Sequence, residues 1–256
     1  MKIATWNVNS LRVRLPHLLE WLAANPVDVV GVQETKLVDA DFPAAAIEQA
    51  GYRWLHNGQK TYNGVALLAR GELEESQRDV PGFDDEQKRV IAATVGGVRV
   101  VNVYVPNGQA VGSAKYEYKL RWLAALKDYL AAELQRHPLL AVTGDYNIAP
   151  ADADVHDPAA WHEQVLCSSA ERRAFADLLG LGLSDSFRLL PQPPGSYTWW
   201  DYRQAAFRRN LGLRIDHVLV SPALAQRCRS VSIDVAPRRA ERPSDHAPVV
   251  AEFADG

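Results

Sequence analysis

The chain has 256 residues, 47% of them hydrophobic and 23% charged, with a formal net charge of −3. That length supports a large core, and the charge excludes a wholly basic nucleic-acid coat while leaving local basic clefts open. No window reaches the roughly 18 apolar residues of a membrane span, the N-terminus runs directly into strand-like sequence, and Cys167 and Cys228 stand in no metal-binding spacing, so a cytoplasmic protein with free thiols is expected.

In chain order, strands are expected at 2–7, 27–33, 64–69, 90–95, 98–105, 139–144, 214–220, 231–235 and 249–253. Many are near-continuous apolar runs, the pattern of strands covered on one or both faces. Helical periodicity falls at 15–24, 42–50, 116–134 and around 171–179. In the third, Trp122, Leu123, Leu126, Leu130 and Leu134 share a face, and Lys119, Arg121, Lys127 and Asp128 are expected to face away. Strands outnumber helices and the helices do not strictly alternate with them. This pattern disfavours a regular βαβ barrel and favours two packed sheets with helices outside. Without a linker, low-complexity tract or repeat, a single domain over 1–256 is expected.

Polar residues gather where the apolar runs end. "KIATWN" ends in Asn7, with Asn9 following; "DVVGVQE" ends in Glu34; "VVNVYVPN" carries Tyr104 and Asn107; "LLAVTGDYN" ends in Asp145 and Asn147; "RPSDHAPVV" sets Asp245 and His246 before the last strand. Each has a plain structural reading: Asn7 as a turn or cap residue, Glu34 as the start of a solvated loop, Tyr104 as a core edge, Asp145 and Asp245-His246 as turns. Asp216 resists that reading, because a carboxylate between Ile215 and Val218-Leu219-Val220 is costly unless paired. His246 is a candidate partner. His217 would point to the opposite strand face and reads as structural. Taken together, so many polar residues at the ends of separate core strands argue for a site built where strands converge.

Two basic clusters accompany them. Arg203, Arg208, Arg209 and Arg214 sit beside Trp199, Trp200, Tyr202 and Phe207, while Arg238, Arg239 and Arg242 form the second. Each alone reads equally as solvated surface.

The segments "TWNVNSLR", "GVQETK", "YVPNG", "TGDYNIAP", "GSYTWWDYR", "GLRIDHVLVS" and "RPSDHAP" occur in family order along essentially the whole chain. They resemble the exonuclease III branch of the apurinic/apyrimidinic (AP) endonuclease family, within the wider endonuclease/exonuclease/phosphatase fold. The resemblance implies a four-layer α/β sandwich, two packed central sheets flanked by helices. It implies a Mg²⁺-dependent hydrolase, with Mn²⁺ as a substitute, acting on double-stranded DNA. Such enzymes cut 5′ of abasic sites, digest duplexes from 3′ ends and remove 3′ blocking groups. A monomer without membrane association is expected. Three positions depart from the family pattern: Ser10 replaces a common glycine, Asn9 stands where the mammalian-type branch has an acid, and Leu213 stands where that branch has an aromatic wall of the sugar pocket.

The same resemblance assigns roles. Glu34 is the hard oxygen ligand suited to Mg²⁺, with Asn7 orienting it and Asp245 nearby as a further ligand. Asp145 activates water, and Asn147 donates to a phosphate oxygen. His246, held by Asp216, donates to another, and Tyr104 adds a third donor. Trp199 and Leu213 line the pocket for an extruded abasic sugar, while Asn9, Asn107, Arg203 and the neighbouring arginines contact the DNA. Two other readings remain open: a phosphatase or phospholipase of the same superfamily acting on a small head group, and a catalytically inactive DNA-binding relative.

Overall fold

The apolar runs become the inner strands of two sheets. The computed structural model describes residues 1–255. Its elements in order are β1 (Lys2–Asn7), α1 (Leu11–Ala24), β2 (Val29–Gln33), α2 (Ala44–Gln49), β3 (Arg53–Asn57), β4 (Val65–Ala69), β5 (Glu74–Arg78), β6 (Val90–Val95) and β7 (Val98–Tyr104). There follow α3 (Ala114–Arg136), β8 (Leu140–Asp145), α4 (Ser169–Leu179), β9 (Ser184–Asp185), β10 (Trp199–Trp200), β11 (Gly212–Leu213), β12 (Asp216–Val220), α5 (Pro222–Ala225), β13 (Cys228–Ile233) and β14 (Val249–Phe253). One six-stranded sheet has the order β13-β14-β1-β2-β4-β3 and the other β5-β6-β7-β8-β12-β9, with β10-β11 as a separate ribbon. Pairing is antiparallel except for β1 with β2 and β7 with β8.

Side-chain alternation turns these sheets into four layers. Ile3, Val29, Val100, Ala141 and Val218 meet in the core between the sheets. Their chain neighbours face outward. Ala4 and Val30 pack with Trp21 and Leu22 of α1 and Ile47 of α2. Val101, Val142 and Leu219 pack with Trp122, Leu126 and Leu130 of α3 and Phe175 of α4. The architecture is the expected α/β sandwich of two packed sheets flanked by helices.

The differences from expectation have physical causes. β3 and β5 were not foreseen. Each is a sheet edge, and β5 reads Glu-Glu-Ser-Gln-Arg, largely exposed, so it lacks an apolar signature. Charge on an edge also discourages pairing with another chain. Lys119, expected on the outer face of α3, is fully buried because α4 covers it and supplies Glu171 as partner.

The space between the sheets is not purely apolar. Beneath one end of the sandwich, Gln33 Nε2 donates to Thr5 Oγ1 at 2.8 Å and to Asn102 Oδ1 at 2.6 Å. Asn102 Nδ2 crosses to the other sheet and donates to Val32 O and Ala66 O at 3.0 and 2.9 Å. Gly31 makes room for this layer: a Cβ there would lie 2.5 Å from both Asn102 Oδ1 and Thr143 Oγ1. Hydrogen bonds are directional where apolar contacts are not, so this layer fixes how one sheet lies on the other. Replacing Asn102 with Ala removes its bonds to Gln33, Val32 O and Ala66 O from the buried layer; the expected loss in denaturant unfolding is about 3 kcal/mol. A loss below about 1 kcal/mol would show that the layer bears little on stability.

Candidate active site

The same alternation selects the side chains at the sandwich mouth. Asn7, Tyr104 and Asp145 lie two residues beyond the inward-facing Thr5, Asn102 and Thr143, so they continue that face to the strand ends. Asp145 is in register with Tyr104 on β7 and with Asp216 on β12, which sets the three side chains abreast.

Two carboxylates facing each other across a strand pair repel. His246, from the loop before β14, resolves this. Its Nδ1 lies 2.9 Å from Asp216 Oδ2, and its Nε2 lies 3.7 Å from Asp145 Oδ2. Ser244 holds the loop, donating to Asn7 O at 2.6 Å and accepting from His246 N at 3.2 Å. Burial opposes the ring's charge, but Asp216 and Asp145 outweigh it and raise the His246 pKa to about 10. Asp145 is pushed up to about 7 by burial, which prevails over attraction to His246, and the charge of Asp216 pushes the same way. Burial, then Glu34 and Asp145, lift the Tyr104 phenol well above its usual range, so it is a neutral donor.

Across the mouth, Asn7 Nδ2 donates to Glu34 Oε1 and to Asp145 Oδ2, both at 2.8 Å, so one neutral amide ties carboxylates from the two sheets. Tyr104 donates to Glu34 Oε1 at 3.0 Å. Lys36 Nζ lies 2.9 Å from Glu34 Oε2 and donates to Asn9 Oδ1 at 2.6 Å. Glu34, Lys36, Asn9 and Asn147 have φ values of 53°, 56°, 45° and 49°. This left-handed backbone is uncommon outside glycine, and it sets the direction of these four side chains at the mouth.

Asn147 is set by its surroundings. Its N–H donates to Asp145 Oδ1 at 2.9 Å, its Nδ2 donates to Val105 O at 2.9 Å, and its Oδ1 accepts from Asn107 at 3.1 Å. One proton of the amide remains for a ligand. At the rim, Asp245 accepts from Asn9 Nδ2 and from Trp199 Nε1, each at 3.0 Å. Beside Trp199 opens a pocket of 400 Å³ lined by His156, Trp161, Ala206 and Leu211. Beside Tyr104 and Asn107 runs a groove of 790 Å³ lined by Gln59, Asn63, Gln87, Arg89 and Lys115.

Two expectations change. Leu213, anticipated as a wall of that pocket, is fully buried with Ala149, Val155 and Ile215, and pairs with Trp199 in the β10-β11 ribbon, so it backs the tryptophan. Arg214, counted among arginines free to meet phosphate, is buried and spent on Asp154 and Asp185, each at 2.7 Å. Its NH1 also donates to His217 Nδ1 at 2.9 Å, which leaves the proton of His217 on Nε2, pointing at Ile148 O at 2.9 Å. Burial and Arg214 lower the His217 pKa to about 4. His217 is therefore a neutral prop beneath the turn that carries Asn147. Arg203 is exposed and chelated by Asp201. Arg238 is buried against Trp200, Tyr202 and Phe207.

Sequence reasoning had assigned no role to Lys36, Ser244, Gln33 or Asn102. All four lie inside quoted segments, "GVQETK", "RPSDHAP" and "VVNVYVPN". The pairing of Asn102 across the sheets leaves no trace in spacing.

Ligand-capable atoms of Glu34, Asp145 and His246 lie within 4.8 Å of one another. His246 Nδ1 is taken by Asp216 at 2.9 Å, and the ring is read as the partner of that carboxylate, which leaves Glu34 and Asp145 as the oxygen donors of the cluster. What remains are hard carboxylate oxygens, the donor set of an oxygen-seeking divalent cation rather than of zinc.

An elevated carboxylate base, fixed protons on an imidazolium, an amide and a phenol, and oxygen donors for a divalent cation together suit attack of water on an anionic ester. Fold and site define the class: a phosphodiester hydrolase. The sequence pattern of the endonuclease/exonuclease/phosphatase family matches residues 4–246. Exodeoxyribonuclease III of Haemophilus influenzae is 40% identical over 267 aligned positions, 99% of this chain and 100% of that one. Exodeoxyribonuclease of Bacillus subtilis is 34% identical, covering 97% and 98%. Among solved structures, the Neisseria 3′ phosphatase NExo bound to a product DNA hairpin superposes with a TM-score of 0.98 at 54% identity, covering 100% of each chain. The chain belongs to the endonuclease/exonuclease/phosphatase family.

The His246 pair carries a pH signature. Its folded pKa is raised from 6.5 to about 10, so its contribution to stability is fully present below 6.5 and is lost as pH climbs through about 10. In the metal-free protein, NMR titration of the His246 ring is expected to show both nitrogens protonated at pH 8, and Asp216→Asn to lower the midpoint. A ring that titrates near 6.5 would contradict the bridge.

Proposed function

We propose that the protein is a Mg²⁺-dependent DNA-repair nuclease, cytoplasmic and monomeric. It hydrolyses the phosphodiester 5′ of abasic sites and clears nucleotides and blocking groups from 3′ ends of duplex DNA. The observation that carries the reading is the mouth itself, where Asn7 joins Glu34 to Asp145 and His246 joins Asp145 to Asp216. The relatives named exodeoxyribonuclease and the DNA-bound phosphatase support the choice of DNA.

Asp145 takes a proton from the attacking water, and its pKa of about 7 suits that task near neutral pH. His246 donates from Nε2 to a non-bridging phosphate oxygen, with Asp216 holding the ring at the other nitrogen. The remaining Asn147 amide proton meets the phosphate on the opposite side. Tyr104 turns its hydroxyl from Glu34 toward the same charge. These donors tighten as negative charge builds on the ester, which is where stabilisation lowers the barrier. Glu34, with Asn7 orienting it and Asp245 near, would hold Mg²⁺, which supplies Lewis-acid stabilisation of the phosphate and of the departing 3′-oxygen.

The aromatic pocket beside Trp199 suits an extruded sugar without its base, which costs little to unstack. Asn107, Arg89 and Lys115 in the adjoining groove, with Asn9 and Arg203 at the rim, suit contact with the flanking strand.

Asp145→Asn is expected to slow cleavage of an abasic duplex at least about 10²-fold while DNA affinity stays within a few-fold. Near-normal turnover would remove Asp145 as the base. Trp199→Ala is expected to slow abasic-site cutting more than 3′-end digestion; equal losses in both assays would count against the sugar-pocket role. EDTA is expected to abolish both reactions and Mg²⁺ to restore them, and cleavage that persists in EDTA would reject metal dependence.

A further inference from the structure

The mechanism leaves unexplained a lysine sealed inside the protein. Lys119, in α3, has no exposed surface, and neither has its partner Glu171 in α4. All three ammonium protons are used. One goes to Glu171 Oε1, one to Asn147 O at 2.6 Å and one to Asn107 O at 3.1 Å. Glu171 is itself anchored by Leu166 N at 3.0 Å, and by Ser168 N and Oγ at 3.2 and 2.6 Å. Ser168 Oγ in turn lies 2.5 Å from the Tyr116 hydroxyl.

A buried ion pair is seldom the best way to fill a core. Apolar residues of similar volume commonly serve as well or better. The two carbonyls show what the charge does here. They belong to the asparagines whose side chains meet at the mouth, Asn107 Nδ2 donating to Asn147 Oδ1 at 3.1 Å. Drawing both carbonyls inward onto one ammonium turns their amide side chains outward. It also holds Asn147 at its left-handed φ of 49°. The loop is shaped around the lysine: Gly108, at φ 93°, would bring a Cβ to 3.1 Å from Lys119 Cδ. Burial lowers the lysine pKa, and the charge and hydrogen bond of Glu171 work against that shift.

We propose that Lys119 is a positioning residue for the phosphate-binding amides: its ammonium, held by Glu171, fixes the Asn147 and Asn107 peptides so that the Asn147 amide is aimed before substrate arrives. This rests on the reading of Asn147 as a phosphate donor. A rigid donor stabilises developing charge without reorganising, and a small misplacement costs far more in rate than in binding.

A double-mutant cycle tests it, with single-turnover cleavage of an abasic duplex and DNA affinity measured for Lys119→Met, Asn147→Ala and the pair. Lys119→Met is expected to lower the cleavage rate about 10-fold or more, with affinity changed less than about 3-fold, because positioning acts through the transition state. In the Asn147→Ala background the same change is expected to lower the rate less than about 2-fold, since residues acting as a unit are not additive. Equal fold-losses in both backgrounds would overturn the proposal. So would a normal rate per folded molecule in Lys119→Met. If Lys119→Met does not fold because Glu171 is stranded, Lys119→Met with Glu171→Gln removes both charges and takes its place in the cycle, under the same two criteria. An Asn147→Ala enzyme with undiminished rate would refute the donor role itself, a result distinct from failed coupling.

Discussion

Asp145 and Asp216 face each other across β8 and β12, and the whole site is organised by what keeps them there. Left alone, two buried carboxylates at adjacent strand positions would take up a proton or push apart. His246 opposes both by standing charged between them, at 2.9 Å from one and 3.7 Å from the other. The imidazolium is thus stabilised by the same carboxylates that it holds together. One consequence is a donor whose charge does not fade at neutral pH. Another is a base, Asp145, whose proton affinity is lifted into the working range by burial against that attraction. The site's remaining negative charge, centred on Glu34, is left for a cation and for Lys36 to meet.

The fold delivers these residues by alternation. Thr5, Asn102 and Thr143 make up a polar layer within the sandwich, together with Gln33. Two residues further on, three of the same strands present Asn7, Tyr104 and Asp145. A slip of one residue in register would turn all three out of the mouth. The hydrogen bonds from Asn102 to Val32 O and Ala66 O therefore bear on chemistry as well as stability, because they align the sheet that carries Glu34 with the sheet that carries Asp145. A further tier lies behind Asn147, where His217 props Ile148 and Lys119 holds the asparagine's own carbonyl.

What the sequence made legible follows from this geometry. Covered strands announce themselves by apolar runs, so the inner strands were readable, as were helices α1 to α4, whereas the edge strands β3 (Arg-Trp-Leu-His-Asn) and β5 (Glu-Glu-Ser-Gln-Arg), without an aliphatic run, were not. Asp216 was readable because a lone acid in an apolar strand needs a partner, and the opposite facing of His217 followed from strand period alone. Arg214 and Lys119 misled for a common reason. Sequence shows a charge but not the residue from a distant element that buries and neutralises it, here Asp154 with Asp185 and Glu171. Leu213 likewise shares the position of a pocket wall along the chain, yet ribbon pairing turns it behind Trp199.

The central claim is that this mouth grips one phosphate between His246 and Asn147. A crystal structure with a cleaved abasic duplex and Mn²⁺ tests it most directly. The account predicts the new 5′-phosphate within hydrogen-bond distance of His246 Nε2 and Asn147 Nδ2, with anomalous scattering beside Glu34. A phosphate bound away from both side chains, or an ion on the His246 ring, would contradict it.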